Sequence, residues 1–397
     1  MHQQPFLQLL DRHVSGARIQ FNVERHSFLV GGRAMEASGH TANVVVRVHR
    51  DTFFARVLSS GNLGLAEAYI DRDFEIEHGS LEQFLTILLK SRLDEKVKKD
   101  FRLLLKIVAV RLTNSLRGKV RNVRRHYDQG DDLFEAFLDP TLTYSCGYAT
   151  TSEDDLAKLQ LAKFNRICQK LDLRPGERVL DIGCGYGGLL IHAAKHYGIV
   201  GTGITLSRRH CERGLQNIGR EGLSEQIRIE LMDYRLVKGQ FDKVVSVGMM
   251  EHVPRREYGK YFATIAGVLS SCGIGLIHTI GCNGPKNEHD PFIQRYIFPG
   301  SAQPRLSEIA SQLERNRLLI LDVENMVRHY AATVQRWLQR FRGNRDQLNP
   351  AAYDDRFKRM WEYYLCCGIA AALASDSAVY QVLFNKDPAA PLPLRRV

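Results

Sequence analysis

A glycine-rich turn carries the clearest chemical signal in the sequence. The apolar run 179–182 is followed by Gly183-Cys184-Gly185-Tyr186-Gly187-Gly188, and a helical pattern begins at Leu189. Glycines between a strand and a helix permit a tight bend and let the backbone approach a ligand closely. In dinucleotide-binding turns the spacing is G-x-G-x-x-G and the helix N-terminus faces a pyrophosphate. The spacing here is G-x-G-x-G-G, so the turn departs from the dinucleotide pattern.

Asp181 stands two residues before the first glycine of this turn. A carboxylate at this place suits a cationic portion of a ligand better than a pyrophosphate, because like charges repel. A strand, an acidic residue and a glycine turn in this order are typical of S-adenosylmethionine-dependent methyltransferases. The alternative is a tight turn that binds no ligand.

Two later segments are candidates to contact the rest of such a cofactor. The second strand ends in Thr205-Leu206-Ser207, where an acidic residue for ribose hydroxyls is usual, so hydroxyl and backbone groups must make that contact. After the third strand, Asp233 can accept a hydrogen bond from an adenine amine, and Tyr234 can stack on its ring. A helix cap followed by a packed aromatic is the other interpretation of Asp233 and Tyr234, and both remain open.

Glu251 and His278 lie at the ends of two further apolar runs, FDKVVSVG and IGLIHT. Ligands of open α/β sheets bind at the carboxyl ends of the strands. Both side chains are therefore candidates for chemistry on a bound substrate. For His278 by itself, a hydrogen-bonded histidine in the core is the alternative.

The elements that would position these residues alternate between strands and helices from about residue 170. The strand-like segments are RVLDIG, GIVGTGITL, IRIELMD, FDKVVSVG and CGIGLIHTI. This alternation predicts an α/β fold with a doubly wound, mostly parallel sheet. Helical segments are expected from Leu306 to about Phe384, with one more strand near Leu318–Val323.

The N-terminal part of the chain has a different pattern. Residues 1–85 combine strand-like runs at Ile19–Val23 and Asn43–Val48 with a turn-rich stretch, SSGNLGLAEAYIDRDFEIEHG. This mixture predicts a smaller α+β unit. We therefore divide the chain into an N-terminal domain, 1–120, and a second domain, 121–397.

Most of the excess positive charge lies in one block. The net charge is +11, and the stretch 90–125 holds thirteen Lys or Arg against three Asp or Glu. Its apolar residues repeat at helical spacing, at Phe101, Leu104, Leu105, Val108 and Leu112. A basic amphipathic helix suits an anionic membrane surface and predicts a cytoplasmic protein bound to the inner face of the membrane. A packed helix with a charged rim is an equal alternative. Nucleic acid is not expected, because no aromatic-interleaved binding motif accompanies the block.

The composition is that of a folded globular protein, with 44% hydrophobic and 25% charged residues. No apolar run approaches the roughly 18–20 residues that span a bilayer, and the N-terminus lacks the pattern of a secretory signal. The eight cysteines are scattered, which predicts reduced thiols. No C-x-x-C pair exists, so no metal site is predicted.

Together the motifs resemble those of the cyclopropane-fatty-acyl-phospholipid synthases, a family that includes mycolic acid cyclopropane synthases and fatty-acid methyltransferases. The resemblance runs from HYD at 126–128 through LDPTLTYSCGY, VLDIGCGYGGL, GITLS, MDYR, SVGMMEHV, LIHTIG, DPFIQRYIFPG, HYAATVQRWLQRF and FKRMWEYYL. RVLSSGNLGLAEAYIDRDFE also resembles the lipid-engaging N-terminal domain of the bacterial synthases. The resemblance implies a Rossmann-like class I methyltransferase fold preceded by that smaller domain.

The family resemblance also implies a reaction and its residues. A methylene would pass from S-adenosylmethionine to the cis double bond of an unsaturated phospholipid acyl chain, through methyl transfer, a carbocation and deprotonation by bound bicarbonate. The implied bicarbonate cradle is Cys146, Glu251, His278, Ile280 and Tyr330, with Cys146 and Ile280 contributing mainly backbone groups. The implied cofactor contacts are Tyr144, Ser145, Gly183, Gly185, Thr205 and Leu206, with Asp233 and Tyr234 around the adenine.

Three further expectations follow from the resemblance. A carboxylate beside an anion needs a shared proton, so we expect a raised pKa for Glu251. Tyr296, Ile297 and Phe298 look like part of an acyl-pocket wall, with buried core as the alternative. A homodimer would be unsurprising.

The sequence departs from the family at His210, where Gln is usual, at Tyr186, where Trp is common, at Ala149, where an aromatic is common, and at Gly368, where Cys is usual. These departures leave the acyl substrate and the final product open. Methylation without ring closure remains an alternative, and N-methylation of a small amine is a more distant one. A non-catalytic protein that binds lipid surfaces or nucleic acid is disfavoured by the complete glycine turn.

Overall fold

The computed structural model describes residues 2–32, 42–93, 96, 130–283, 290–374 and 377–387. They form two compact units. The first unit contains the described residues before 97 together with Asp290–Pro299 and Phe341–Ala374. The second contains 130–283, Gly300–Arg340 and 377–387. The predicted boundary between 120 and 121, most of the predicted basic helix and the HYD motif lie outside the described residues.

The first unit is built on a four-stranded sheet in the order β2-β1-β3-β4. Its strands are β1 (Ile19–Val23), β2 (His26–Val30), β3 (Val44–Val48) and β4 (Phe74–His78). Its helices are α1 (Gln3–His13), α2 (Thr52–Ser60), α3 (Asn62–Ile70), α4 (Leu81–Lys90) and, near the C-terminus, α12 (Asp355–Leu373). Five buried phenylalanines pack edge-on or tilted against one another in its core, namely Phe6, Phe21, Phe53, Phe74 and Phe84. The α+β prediction for this region is confirmed.

The prediction of a turn-rich stretch at residues 59–79 is wrong, because most of it is α3 and β4. Gly61 separates two helices with a φ of 57°, but Gly64 lies inside α3. A Cβ at Gly64 would collide with the carbonyl of Arg56, so this glycine permits close packing of helices rather than a turn.

The second unit is built on a seven-stranded sheet in the order β10-β11-β9-β8-β5-β6-β7. Its strands are β5 (Arg178–Ile182), β6 (Val200–Thr205), β7 (Ile227–Leu231), β8 (Phe241–Val247), β9 (Leu269–Cys282), β10 (Leu319–Asn325) and β11 (Ser377–Asn385). Strands β5 to β9 are parallel, and β10 and β11 are antiparallel additions. The remaining helices are α5 (Asp131–Phe137), α6 (Leu156–Lys170), α7 (Gly188–Tyr197), α8 (Arg208–Arg220), α9 (Tyr258–Val268), α10 (Leu306–Arg315) and α11 (Val327–Asn344).

Both faces of this sheet are covered by apolar clusters. Along β5, Leu180 and Ile182 belong to one cluster, whereas Val179 belongs to the other. Because successive residues of a strand point to opposite faces, helices must pack on both sides. The predicted doubly wound, mostly parallel α/β sheet is confirmed, with its five strands and the additional strand β10.

The prediction of helix up to about Phe384 is wrong at its end, because Ser377–Asn385 is the strand β11. All nine residues of β11 are buried, since β11 lies between β9 and β10. A strand covered on both faces shows no apolar–polar alternation and is easily mistaken for a buried helix. Within the described residues, no helix combines the length and apolar character needed to cross a membrane.

Candidate active site

The site lies where the strand order of the second unit changes direction. Strands β5 and β8 are neighbours, with β6 beyond one and β9 beyond the other. Crossover connections on either side of such a point leave a crevice at the carboxyl edge of the sheet. The glycine turn follows β5, Glu251 follows β8, and His278 lies in the later half of β9.

The glycine turn has the conformation that its sequence predicts. Gly183 and Gly185 have φ angles of 84° and 55°, in the left-handed region where a side chain would be strained. A Cβ at Gly185 would have no described heavy atom within 4 Å, so the backbone borders open space there. Asp181 is buried, and its Oδ1 has no hydrogen-bond partner among the described residues. An open turn beside an unsatisfied buried acceptor fits a ligand that carries a cationic donor.

The Tyr144–Ser145 segment is held by a rigid turn. Asp139 is buried, and its carboxylate accepts hydrogen bonds from the backbone N–H groups of Thr141 and Thr143, at 2.9 and 3.1 Å. Between them Leu142 has a φ of 53°, which is unfavourable for a non-glycine residue. Backbone strain of this kind persists only where surrounding contacts fix it, and it is common at binding sites.

Two polar side chains of α6 form hydrogen bonds with Ser145, and the sequence analysis identified neither of them. Gln160 donates to the Ser145 carbonyl at 2.9 Å, and the Lys163 ammonium donates to the Ser145 hydroxyl at 2.8 Å. Both side chains are buried. The signal was available, because Lys163 falls on the apolar stripe of α6 between Leu159 and Ile167.

The segments after β6 and β7 have local partners. The Thr205 hydroxyl accepts from the backbone N–H of Ser207 at 3.1 Å, and Leu206 is 72% exposed. The Asp233 carboxylate accepts two hydrogen bonds from the Arg235 guanidinium, which lowers the pKa of Asp233. Tyr234 is buried against Tyr261 with ring centroids 5.4 Å apart. These are the contacts of a cap and a packed aromatic, and the adenine roles of Asp233 and Tyr234 stay proposals.

Glu251 is a buried carboxyl group whose two oxygens differ in their hydrogen bonding. Its Oε1 accepts a hydrogen bond from the backbone N–H of Ile280 at 2.6 Å, whereas Oε2 has no partner among the described residues. Burial raises its pKa to about 7, against the lowering effects of the Ile280 N–H, the backbone of Glu251 itself and the Thr279 hydroxyl. The Ile280 N–H therefore holds Glu251 in place, and the contribution of Ile280 to an anion site stays a prediction.

His278 is also buried with one ring nitrogen unpaired. Its Nδ1 is 3.1 Å from Nε2 of Gln381 on β11, and its Nε2 has no hydrogen-bond partner in the described part of the chain. If the Gln381 amide donates to Nδ1, the proton of the neutral ring is on Nε2. Burial, followed by the charges of Lys163 and Lys170, lowers the pKa of His278 to about 3, so the ring is neutral at physiological pH.

Cys146 lies beside the start of α11, and Tyr330 lies on that helix. The Cys146 thiol is buried, donates to the Gly147 carbonyl at 3.2 Å and has its pKa raised to about 12 by burial. The Gly147 N–H donates to the Thr333 hydroxyl on α11. Tyr330, one turn earlier on α11, is buried and packs edge-on against Trp337. Cys146 therefore stays a thiol and cannot act as a thiolate nucleophile near neutral pH.

Two of the departures from the family pattern contact each other. The rings of Tyr186 and His210 have centroids 4.5 Å apart, and the Tyr186 hydroxyl donates to Asp131 on α5 at 3.2 Å. Arg209 also pairs with Asp131, at 2.7 Å. A third departure, Ala149, donates its N–H to Nδ1 of His329. The Tyr186–His210 pair thus joins the glycine turn to α5 and α8.

The three residues predicted as part of an acyl-pocket wall lie in the first unit. The Tyr296 hydroxyl donates to Glu67 at 3.0 Å, Ile297 is buried, and Phe298 packs against Tyr364.

All eight cysteines are free thiols. Among the described residues, no three His, Cys, Asp or Glu side chains are grouped so that they could hold a metal ion.

Comparison with known proteins places this arrangement in a family. Residues 114–382 match the family model of mycolic acid cyclopropane synthetase. The cyclopropane-fatty-acyl-phospholipid synthase of Escherichia coli K12 is 39% identical over 357 residues, which are 89% of this chain and 91% of the relative. Tuberculostearic acid methyltransferase UfaA1 of Mycobacterium tuberculosis is 33% identical over 84% of this chain and 81% of its own length.

Solved structures agree with the sequence relatives. The mycolic acid cyclopropane synthase CmaA1 complexed with SAH and CTAB has a TM-score of 0.62 and 29% identity, and the match covers 68% of this chain and 99% of that one. The family model, the relatives and the fold all point the same way. The chain belongs to the mycolic acid cyclopropane synthetase family and is an S-adenosylmethionine-dependent methyltransferase of the cyclopropane synthase type.

Proposed function

We propose that this enzyme transfers a methylene group from S-adenosylmethionine to the cis double bond of an unsaturated phospholipid acyl chain. The observation that carries the proposal is a pair of buried polar atoms without partners among the described residues, Glu251 Oε2 and His278 Nε2. An unsatisfied buried polar atom costs about 1–3 kcal/mol, so two of them at one crevice need a functional explanation. The relation to the E. coli phospholipid synthase supports the choice of substrate.

The two unpartnered atoms fit a small oxyanion such as bicarbonate. A neutral His278 with its proton on Nε2 can donate to an anion, and a protonated Glu251 can donate from Oε2. The raised pKa of Glu251 supports this, because an ionised carboxylate would repel the anion. When bound, bicarbonate would supply a base that removes a proton from the newly added methyl group.

Aromatic rings around Tyr144 and Tyr330 are proposed to exclude water from the reaction and to stabilise positive charge. Tyr144 packs against Phe137 and Trp337 with centroids 5.4 and 5.2 Å away, and Tyr330 packs against Trp337. Aromatic faces stabilise nearby cations. They therefore suit a reaction in which an alkene is methylated and positive charge develops on the acyl chain, where free water would trap that charge.

Delivery of the acyl chain is proposed to involve an anionic membrane surface. The support comes from the sequence, since the stretch 90–125 carries ten net positive charges. Anionic lipids attract juxtaposed basic residues by about 1 kcal/mol each. Tyr296, Ile297 and Phe298 are proposed as acyl-pocket wall, and a homodimer is proposed from the family resemblance alone.

Expression in a bacterial host without cyclopropane lipids tests the proposal. The wild-type chain should convert unsaturated phospholipids to species with one added CH₂ and the high-field proton resonance of a cyclopropane methylene. Glu251→Gln should give no such product, whereas Glu314→Gln, at an exposed glutamate on α10, should behave like the wild type. A methyl-branched chain from the wild type would contradict ring closure, and unchanged lipids would contradict the lipid substrate.

A further inference from the structure

The burial of Lys163 is not explained by the stability of the helix that contains it. It lies in the middle of α6, is 1% exposed, and makes a hydrogen bond to Ser145 Oγ. Transfer of an ammonium group into a buried site is costly unless it is paired and hydrogen-bonded. Accordingly, burial lowers the pKa of Lys163, while the neighbouring carboxylates of Asp139 and Asp181 favour its charged form.

Nζ of Lys163 donates the hydrogen bond to Ser145 Oγ at 2.8 Å. The oxygen of Ser145 is therefore the acceptor, and the hydroxyl hydrogen remains available to another group. The Ser145 carbonyl is held separately by Gln160. Ser145 also lies against the turn after β8, since a Cβ at Gly248 would be 3.7 Å from Ser145 Cβ. The hydroxyl is thus a positioned donor at the carboxyl edge of the sheet.

Asp181 provides the opposite polarity beside the same ammonium. Its Oδ1 is buried and has no partner among the described residues, so it can accept a hydrogen bond from a cationic group. The Ser145 hydroxyl is a donor strengthened by a buried positive charge, and Asp181 is a carboxylate acceptor. Together they match the two charged groups of an α-amino-acid zwitterion. S-Adenosylmethionine carries such a zwitterion at one end.

We propose that Lys163 is a positioning residue that orients the Ser145 hydroxyl toward the carboxylate of the amino-acid portion of the cofactor, while Asp181 accepts from its ammonium. This inference rests on the proposed function, in which S-adenosylmethionine is the donor. It predicts that Lys163 acts on ligands that contain the amino-acid portion and not on ligands that lack it.

Two ligands that differ in that portion provide the test. S-Adenosylhomocysteine contains the amino acid, and methylthioadenosine is a related thioether that lacks it. By titration calorimetry, Lys163→Met should weaken S-adenosylhomocysteine binding about tenfold, the effect of losing one charge-assisted hydrogen bond. It should leave methylthioadenosine binding within about twofold.

Lys170 supplies a matched control. It is a second buried lysine, two turns further along α6, and pairs with Asp322 and Glu324 instead of Ser145. Lys170→Met should leave the affinity of the folded protein for both ligands within about twofold. An equal loss for both ligands in Lys163→Met, or no loss for either, would overturn the proposal.

If Lys163→Met does not fold, Ser145→Ala tests the same inference. The alanine variant should show the same selective loss for S-adenosylhomocysteine, and combining the two substitutions should add little to the larger single loss. Additive losses, or losses that do not depend on the ligand, would contradict the inference. Failure of the wild-type protein to bind S-adenosylhomocysteine would instead contradict the proposed function itself.

Discussion

The backbone N–H of Ile280 donates a hydrogen bond to Oε1 of Glu251 at 2.6 Å, and this contact joins the turn after β8 to the later half of β9. It fixes one carboxyl oxygen and leaves Oε2, which has no partner within the described residues. Glu251 is therefore held in place by the sheet itself, and its second oxygen is available to a bound group.

The stability of the protein should depend on pH through Glu251. Burial raises its pKa from 4.5 to about 7 in the folded state, so the stabilisation present below pH 4.5 is lost as pH rises through about 7. Glu251→Gln lacks this group and should gain up to about 3 kcal/mol relative to the wild type across that range, since one pKa unit corresponds to about 1.4 kcal/mol. Urea unfolding of both proteins at several pH values measures the difference. A difference that does not change with pH would contradict the raised pKa.

Removal of dissolved carbon dioxide should lower the turnover of the wild-type enzyme, and added bicarbonate should restore it. The restoring effect should weaken as pH rises through about 7, because ionised Glu251 repels an anion. Turnover is measured with labelled S-adenosylmethionine and unsaturated phospholipid vesicles in degassed buffer. Addition of chloride at the same ionic strength is the control. Full activity without bicarbonate would count against an anion at this site.

Gln381 should affect turnover through His278. Its amide lies 3.1 Å from His278 Nδ1, and a hydrogen bond donated by the amide to Nδ1 would place the ring proton on Nε2. Gln381→Leu should therefore reduce kcat by tenfold or more, with little change in the affinity for S-adenosylhomocysteine, and Gln381→Asn should recover little because the amide is too short. Steady-state kinetics and calorimetry separate these effects. Equal kcat in the leucine variant would show that the Gln381 contact has no role in orienting the ring.

Tyr186 and His210 should behave as a coupled pair. Each replaces the residue that the family usually has, and their rings are 4.5 Å apart. Tyr186→Trp and His210→Gln should each lower the free energy of unfolding by about 1 kcal/mol. The loss in the double variant should be smaller than the sum of the two single losses by about 0.5 kcal/mol or more, as expected for residues in contact. A double-mutant cycle by thermal unfolding gives the coupling. Strict additivity would show that the two departures are independent.

The basic block should bind anionic vesicles in a salt-dependent manner. Replacement of Lys98, Lys99 and Arg102 by Gln should reduce binding, and the difference should shrink at high salt because ions screen the attraction. The control removes the same charge from exposed positions elsewhere, with Arg220, Lys238 and Arg315 replaced by Gln. Vesicle sedimentation measures the bound fraction. Identical binding of the two triple variants would favour the alternative of a packed helix with a charged rim.

The parts of the fold that the sequence predicted are those with local signals. The parallel strands β5 to β9 and the glycine turn follow from apolar runs and from glycines with positive φ. Strand β11 was missed because it is buried on both faces and shows no alternation. Lys163 was missed although it falls on the apolar stripe of α6, because a lysine there is normally assigned to the helix rim. Its contact with Ser145 follows only from the three-dimensional structure.

Reaction with S-adenosylmethionine whose methyl group is fully deuterated tests the central claim most directly. Purified enzyme and unsaturated phospholipid vesicles are combined, and the product chains are analysed by mass spectrometry and proton NMR. Transfer followed by proton removal from the new methyl group predicts a cyclopropane ring that retains CD₂ and has lost one deuterium. A product that retains CD₃, or an acyl chain that gains no label, would contradict the account.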